Sequence, residues 1–137
     1  MSFVLDASMT MACLFEDESP KATAEVLNQI VESGVTVPAI WRLEIANAFR
    51  TSVRRRRCTD DYVDESLDNL RELPIATDLE TDSRAWEATL ELSRIENLTP
   101  YDACYLELAI RLGATLASCD ADLVAAARRR GVDVLTV

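Results

Sequence analysis

The chain has 137 residues, the length of one domain, and is long enough to bury a core without disulfides or a structural metal. Its composition, 49% hydrophobic and 28% charged, excludes intrinsic disorder, and no apolar run reaches the roughly 20 residues that would cross a bilayer. The net charge of −10 repels nucleic acid at long range, so a polyanionic substrate would need local basic patches and a bridging cation.

Taken in order, Ser2 to Asp6 reads as a central parallel strand buried on both faces and closed by Asp6, with Ser8 as the cap of a short helix. Its amino terminus enters that strand without a basic leader, which predicts a chain that is not secreted. Helical periodicity runs from Asp17 to Ser33 and stops at Gly34. Val35 to Pro38 is a second strand, and Ile40 to about Arg57 a helix with Glu44 in its first turns. Thr59 caps a helix to about Glu72, Leu73 to Ala76 is a weak strand, and Leu79 to Asn97 is an amphipathic helix with Trp86, Leu90 and Leu92 facing inward. The stretch from Thr99 is the most organised. Thr99 is an N-cap, Pro100 suits the first helical position, the run to Leu112 is almost wholly apolar, and Gly113 ends it. On that helix Asp102 shares the apolar side with Tyr105, Leu106 and Ala109, while Glu107 and Arg111 pair at i, i+4. A strand from Ala114 then delivers Ser118, Asp120 and Asp122. A last helix ends in Arg128 to Arg130, and Val132 to Val137 closes the sheet. Strands alternating with helices predict an α/β fold, a parallel sheet with right-handed crossovers and helices on both faces.

The absences narrow the chemistry. No histidine is present, Lys21 is the sole lysine, and three glycines cannot form a dinucleotide loop. Imidazole acid–base catalysis, Ser-His-Asp and Cys-His nucleophiles and the Walker-A lysine are all removed. Cys13, Cys58, Cys104 and Cys119 are far apart, which predicts neither zinc nor a disulfide framework and places the chain in a reducing cytoplasm. Carboxylates remain. Asp6, Glu44, Asp102 and Asp120, with Asp122 beside them, each follow a strand or open a helix, and such positions converge in a doubly wound sheet. Each also has an ordinary explanation: Asp120 as an N-cap, Asp102 as an acid suiting the helix dipole, Asp122 as solvated. Four carboxylates together repel one another unless a cation neutralises them, so the cluster points to one or two magnesium or manganese ions. Such a centre activates water and stabilises displacement at phosphorus. Ser118 is placed to orient a ligand or to bond backbone. Arg54, Arg55, Arg56 and Arg57 are candidates for phosphate contacts, as are Arg128 to Arg130, although arginines also suit helix C-termini.

Four blocks carry a resemblance: Val4-Leu5-Asp6-Ala7-Ser8, Pro38-x-x-Trp41-x-x-Glu44-x-x-Asn47, Tyr101-Asp102-Ala103-x-Tyr105-x-x-Leu108-Ala109 and Leu116-Ala117-Ser118-Cys119-Asp120. In this order they resemble PIN-domain ribonucleases, most of all the VapC toxins of toxin–antitoxin pairs, over essentially the whole chain. The resemblance implies a single PIN domain over residues 1–137, a parallel five-stranded sheet, magnesium- or manganese-dependent cleavage of RNA, a homodimer and a VapB-type antitoxin. It implies Asp6, Glu44, Asp102 and Asp120 as catalytic metal ligands, Asn47 and Ser118 as supports, and leaves the part of Asp122 open. Where the family often has threonine, Ser118 keeps the hydroxyl. Two other readings stand beside it. A haloacid-type phosphohydrolase needs a second aspartate where Ser8 stands, and a non-catalytic interaction module would use the acids for a structural ion or a basic partner.

Overall fold

A computed structural model describes residues 2–15 and 20–137. Its centre is a parallel sheet of five short strands, β1 (Phe3–Leu5), β2 (Val35–Val37), β3 (Ile75–Thr77), β4 (Thr115–Ala117) and β5 (Val134–Leu135), in the order β3-β2-β1-β4-β5. The middle of the sheet is apolar on both sides: Val4 and Leu116, paired in register, and Val37 are wholly buried. From β1 the chain steps outward through β2 to β3, then crosses back to β4 on the other side of β1 and on to β5. Right-handed crossovers in these two directions place the helices of the two halves on opposite faces.

The first half carries α1 (Ala7–Phe15), α2 (Pro20–Ser33), α3 (Trp41–Arg54) and α4 (Asp60–Arg71). The second carries a helical segment of α5 (Thr81–Arg84), a π-helical turn (Ala85–Thr89) and α6 (Leu90–Glu96), then α7 (Pro100–Leu112) and α8 (Ala121–Arg129). The start expected for the second helix, at Asp17, lies outside the described residues. Gly34, at φ +73°, turns the chain from α2 into β2, where a Cβ would stand 3.3 Å from the Pro74 carbonyl oxygen. Thr99 caps α7 as expected, its hydroxyl accepting from the Asp102 N–H, and Gly113 ends the helix in the left-handed conformation.

Two expectations are corrected. Trp86 does not face inward but is 91% exposed, whereas Leu92 is buried. At 3.6 residues per turn Trp86 already stands about a third of a turn from the side that Leu92 buries, and the π turn, with more residues per turn, carries it further round. Ser8 is not the cap of α1. It is the helix's second residue, while the Asp6 carbonyl receives the N–H groups of Met9 and Thr10 and the Ser8 hydroxyl turns back to the Asp6 carboxylate. Among the described residues no helix is long and apolar enough to cross a membrane.

Candidate active site

The sheet order puts a topological switch point at the carboxyl ends of β1 and β4, where the chain's path reverses, the place at which open α/β sheets bind ligands. Asp6 extends β1 to this point, its N–H donating to the Ala117 carbonyl at 2.9 Å. The acid is 4% exposed. Its Oδ2 accepts the hydroxyls of Ser8 and Ser118, each at 2.7 Å. Burial nevertheless holds its carboxyl above the usual range; the two serines and the Ala7 N–H oppose that shift, and the charge of Asp120 adds to it.

Helices of this fold run antiparallel to the strands, so the first turns of α3 and α7 lie at the same edge. Glu44 opens α3 and is half-buried, with Oε1 accepting a hydrogen bond from the hydroxyl of Tyr105, a fully buried residue one turn beyond Asp102. Burial raises the Glu44 carboxyl, and the charges of Asp6 and Asp102 raise it further against the effect of Tyr105. Asp102, also half-buried, is pushed up to about 6 by burial first and then by Asp120 and Asp6. The Asp120 Oδ1 caps α8 through the Leu123 N–H at 3.0 Å, and the Asp120 N–H donates to the Ser118 hydroxyl at 3.0 Å. Asp120 is thus the N-cap that its position in the sequence allows, and its charge still reaches both Asp6 and Asp102. Asp122 is exposed and reaches Asp102 only as a weak charge. Asn47, a turn beyond Glu44, is exposed as well.

Four acids therefore feel one another's charge, and every hydrogen-bond donor they receive among the described residues is neutral. Among the described residues no arginine or lysine pairs with any of them. This uncompensated negative charge, offered entirely through oxygen, is the donor chemistry of a hard divalent cation. No three acids among the described residues are drawn together around a single ion's position. Magnesium fits such a setting, because it retains several waters and takes one or two carboxylates directly.

The arginines are not brought to the acids. Arg54 ends α3, and Arg55, Arg56 and Arg57 follow it, all four exposed and the first of them ten residues, or about 15 Å of helix, from Glu44. Arg56 takes the left-handed conformation, at φ +57°, and the Arg57 N–H donates back to the Ser52 carbonyl at 2.8 Å, so the cluster closes the helix. Positive charge there also suits the negative end of the helix dipole. At that far end the Arg57 guanidinium lies 4.1 Å from the centre of the Phe15 ring. Arg129 and Arg130 both pair with Glu96, at 2.9 and 2.8 Å, which ties the second cluster to α6. Sequence reasoning missed the partnerships of Tyr105 with Glu44 and of Ser8 with Asp6. The available signal was that a tyrosine hydroxyl on a buried helix face requires a partner.

No curated protein matches the chain in sequence. Its fold is that of solved structures: it is similar to PAE2754 from Pyrobaculum aerophilum, with a TM-score of 0.71 and 22% identity over 98% of this chain and 84% of that one. It is also similar to VapBC2 from Rickettsia felis, bound to a DNA fragment from its promoter, with a TM-score of 0.64 and 15% identity over 100% of this chain and 99% of that one. The family model for the PIN domain matches residues 3–129, nearly the whole chain, and the protein belongs to the PIN domain family.

Proposed function

We propose that the protein is a magnesium- or manganese-dependent endoribonuclease and the toxin of a VapBC-type pair, working as a homodimer and held in check by a VapB-type antitoxin. The observation that carries this reading is the set of Asp6, Glu44, Asp102 and Asp120 at the sheet's switch point with only neutral donors around them. PIN domains are in general nucleases, and the Rickettsia felis structure supports the toxin–antitoxin assignment by similarity of fold.

One or two of the four acids would hold the cation directly and the others through its waters; when bound, it supplies positive charge to make water nucleophilic and to offset the charge developing on phosphorus. Asp6 is fixed by two serines and offers a rigid anchor. Glu44 and Asp102 approach from the two facing helices. With no histidine in the chain to activate a ribose 2′-hydroxyl, hydrolysis by water leaves a 5′-phosphate and a 3′-hydroxyl. Arg54, Arg55, Arg56 and Arg57 would then serve RNA some distance from the cut, as a sequence-independent phosphate contact.

The test is cleavage of single-stranded RNA with manganese, with chelator, and by Asp6→Asn. Manganese-dependent cutting that yields 5′-phosphate ends and is lost in a folded Asp6→Asn supports the reading. A cyclic-phosphate product, or undiminished cutting by the variant, overturns it.

A further inference from the structure

We propose that the free edge of β3, with the apolar cleft beside it, receives an extended segment of a partner protein in which an apolar side chain is flanked, two residues away on each side, by an acid.

β3 is an end strand of the sheet. The Val35 N–H donates to the Pro74 carbonyl at 3.0 Å and the Asp78 N–H to the Val37 carbonyl at 2.8 Å. Backbone groups alternate sides along a strand, so Ala76, midway between these bonds, faces β2, while Ile75 and Thr77 turn their groups outward. The Ile75 N–H closes a turn onto the Leu73 carbonyl at 2.9 Å; the Ile75 carbonyl and both backbone groups of Thr77 have no partner among the described residues. An extended chain laid along β3 would satisfy them as a further strand.

Beside this edge, under α3 and α4, lies a cleft of about 350 Å³. Trp41 and Ile45 of α3, Leu67 and Leu70 of α4 and Ile75 of β3 make it apolar, and among the described residues the only charged ones that line it are Arg42 and Arg71. Two cations without an acid stand out in a chain of net charge −10. The Arg42 Nη1 donates to the Thr77 hydroxyl at 2.6 Å, over the end of β3, and no carboxylate among the described residues pairs with it. Arg71 pairs with Asp68 at 2.8 Å, but both side chains are exposed, and so weak a pair yields readily to another acid. The Trp41 indole N–H is buried with no acceptor among the described residues, although such groups are ordinarily bonded.

An added strand turns every second side chain toward the cleft. One apolar side chain then enters it, and the residues two before and two after lie on the same side, about 7 Å along the strand, where carboxylates meet the guanidiniums. A nucleic-acid phosphate would use the arginines and leave the apolar walls and the strand edge unused.

The experiment is fluorescence anisotropy of a labelled, end-blocked peptide, Thr-Glu-Thr-Leu-Thr-Glu-Thr, with the whole chain. Replacing both glutamates by lysine should weaken binding at least about tenfold, although the net charge of −10 favours lysine at long range. Arg42→Ala/Arg71→Ala, at two exposed positions, should weaken the glutamate peptide to the same extent. Thr77→Pro removes an outward N–H at an edge that tolerates proline, and should weaken it by about threefold or more. Melts report the fold of each variant, and the arginine variant stays decisive should Thr77→Pro unfold. No binding by wild type, equal binding of the two peptides, or undiminished binding by either folded variant overturns the inference. Tighter binding of a single-stranded RNA, or self-association, that the arginine variant abolishes and the peptide does not displace assigns the cleft to RNA or to a second copy and overturns it as well.

Discussion

The molecule holds two groups of acids, and they are built in opposite ways. Asp78, Glu80 and Glu107 surround Arg111, whose guanidinium bonds Asp78 at 2.8 and 3.0 Å and Glu107 at 2.9 and 3.1 Å, with Arg84 3.7 Å from Glu107. This group fastens α7 to the loop after β3. Among the described residues, Asp6, Glu44, Asp102 and Asp120 stand at the switch point with hydroxyls and backbone N–H groups alone. In the first group fixed cations hold Asp78 below the usual carboxylate range, chiefly through Arg111. In the second, burial and mutual repulsion push Asp6, Glu44 and Asp102 above it. Charge neutralised by the chain is scaffold; charge left unneutralised beside buried carboxyls marks a candidate site.

Removing the cation from the first group is expected to have the largest effect. Arg111→Ala leaves Asp78 and Glu107, 8% and 6% exposed at their side chains, without their main partner. Breaking a buried pair from one side costs about 3–5 kcal/mol. Urea unfolding should show a loss of that order, whether or not manganese is present. Next comes the converse experiment in the second group. Asp102→Asn removes one of the repelling charges, so the metal-free variant should melt higher than wild type. Manganese at 100 times its dissociation constant should stabilise wild type by about 2.7 kcal/mol and the variant by much less. A metal-free variant that melts lower than wild type would show the acids to be scaffold too.

The two groups also predict opposite responses to pH. Asp102 ionises at 3.8 when unfolded and at about 6 when folded, so over that window the folded state retains a proton the unfolded state has lost. Its contribution is fully present below 3.8 and disappears as pH rises through about 6. Asp78 is shifted the other way. Its contribution is present above 3.8 and is lost as pH falls through its lowered folded value. Metal-free Arg111→Ala should therefore lose the acid-side decline, and metal-free Asp102→Asn the decline between 3.8 and 6, in melts taken from about pH 3 to 7.

Much of this was legible before the structure, because local rules and the global fold agree. Strands ending in acids, a Thr-Pro helix start and glycines between helix and strand follow from backbone chemistry within a few residues. The convergence of Asp6, Glu44, Asp102 and Asp120 could be argued from alternating strands and helices alone. What could not be read was pairing at long range. Glu107 and Arg111 are neighbours on a helix wheel, yet nothing in the sequence places Asp78 opposite them. Nor does helical periodicity reveal a π turn, and the i, i+4 pairing of Trp86 with Leu90 points the tryptophan inward where the structure exposes it. The serines illustrate the same gap: Ser8 in a helix-starting position reads as a cap, and only the pairing of β1 with β4 brings it to Cys119 and brings Ser118 to Asp6.

The smallest effect tests whether burial, and not the number of carboxylates, sets what each acid of the first group contributes. Glu80 belongs to the first group and contacts both Arg111 and Arg84 at 3.3 Å, but its side chain is 56% exposed. Water screens such a pair and holding two long side chains together costs entropy, so Glu80→Gln should change stability by less than about 0.5 kcal/mol. Asp78 shares the same guanidinium from a buried position, and Asp78→Asn should cost several times more, because Arg111 then loses the partner that offsets its own burial. Equal losses from the two variants, measured side by side in urea, would mean that the first group works as a diffuse field of charge. Its contrast with the switch-point acids would then rest on the arginines alone and not on where the chain buries them.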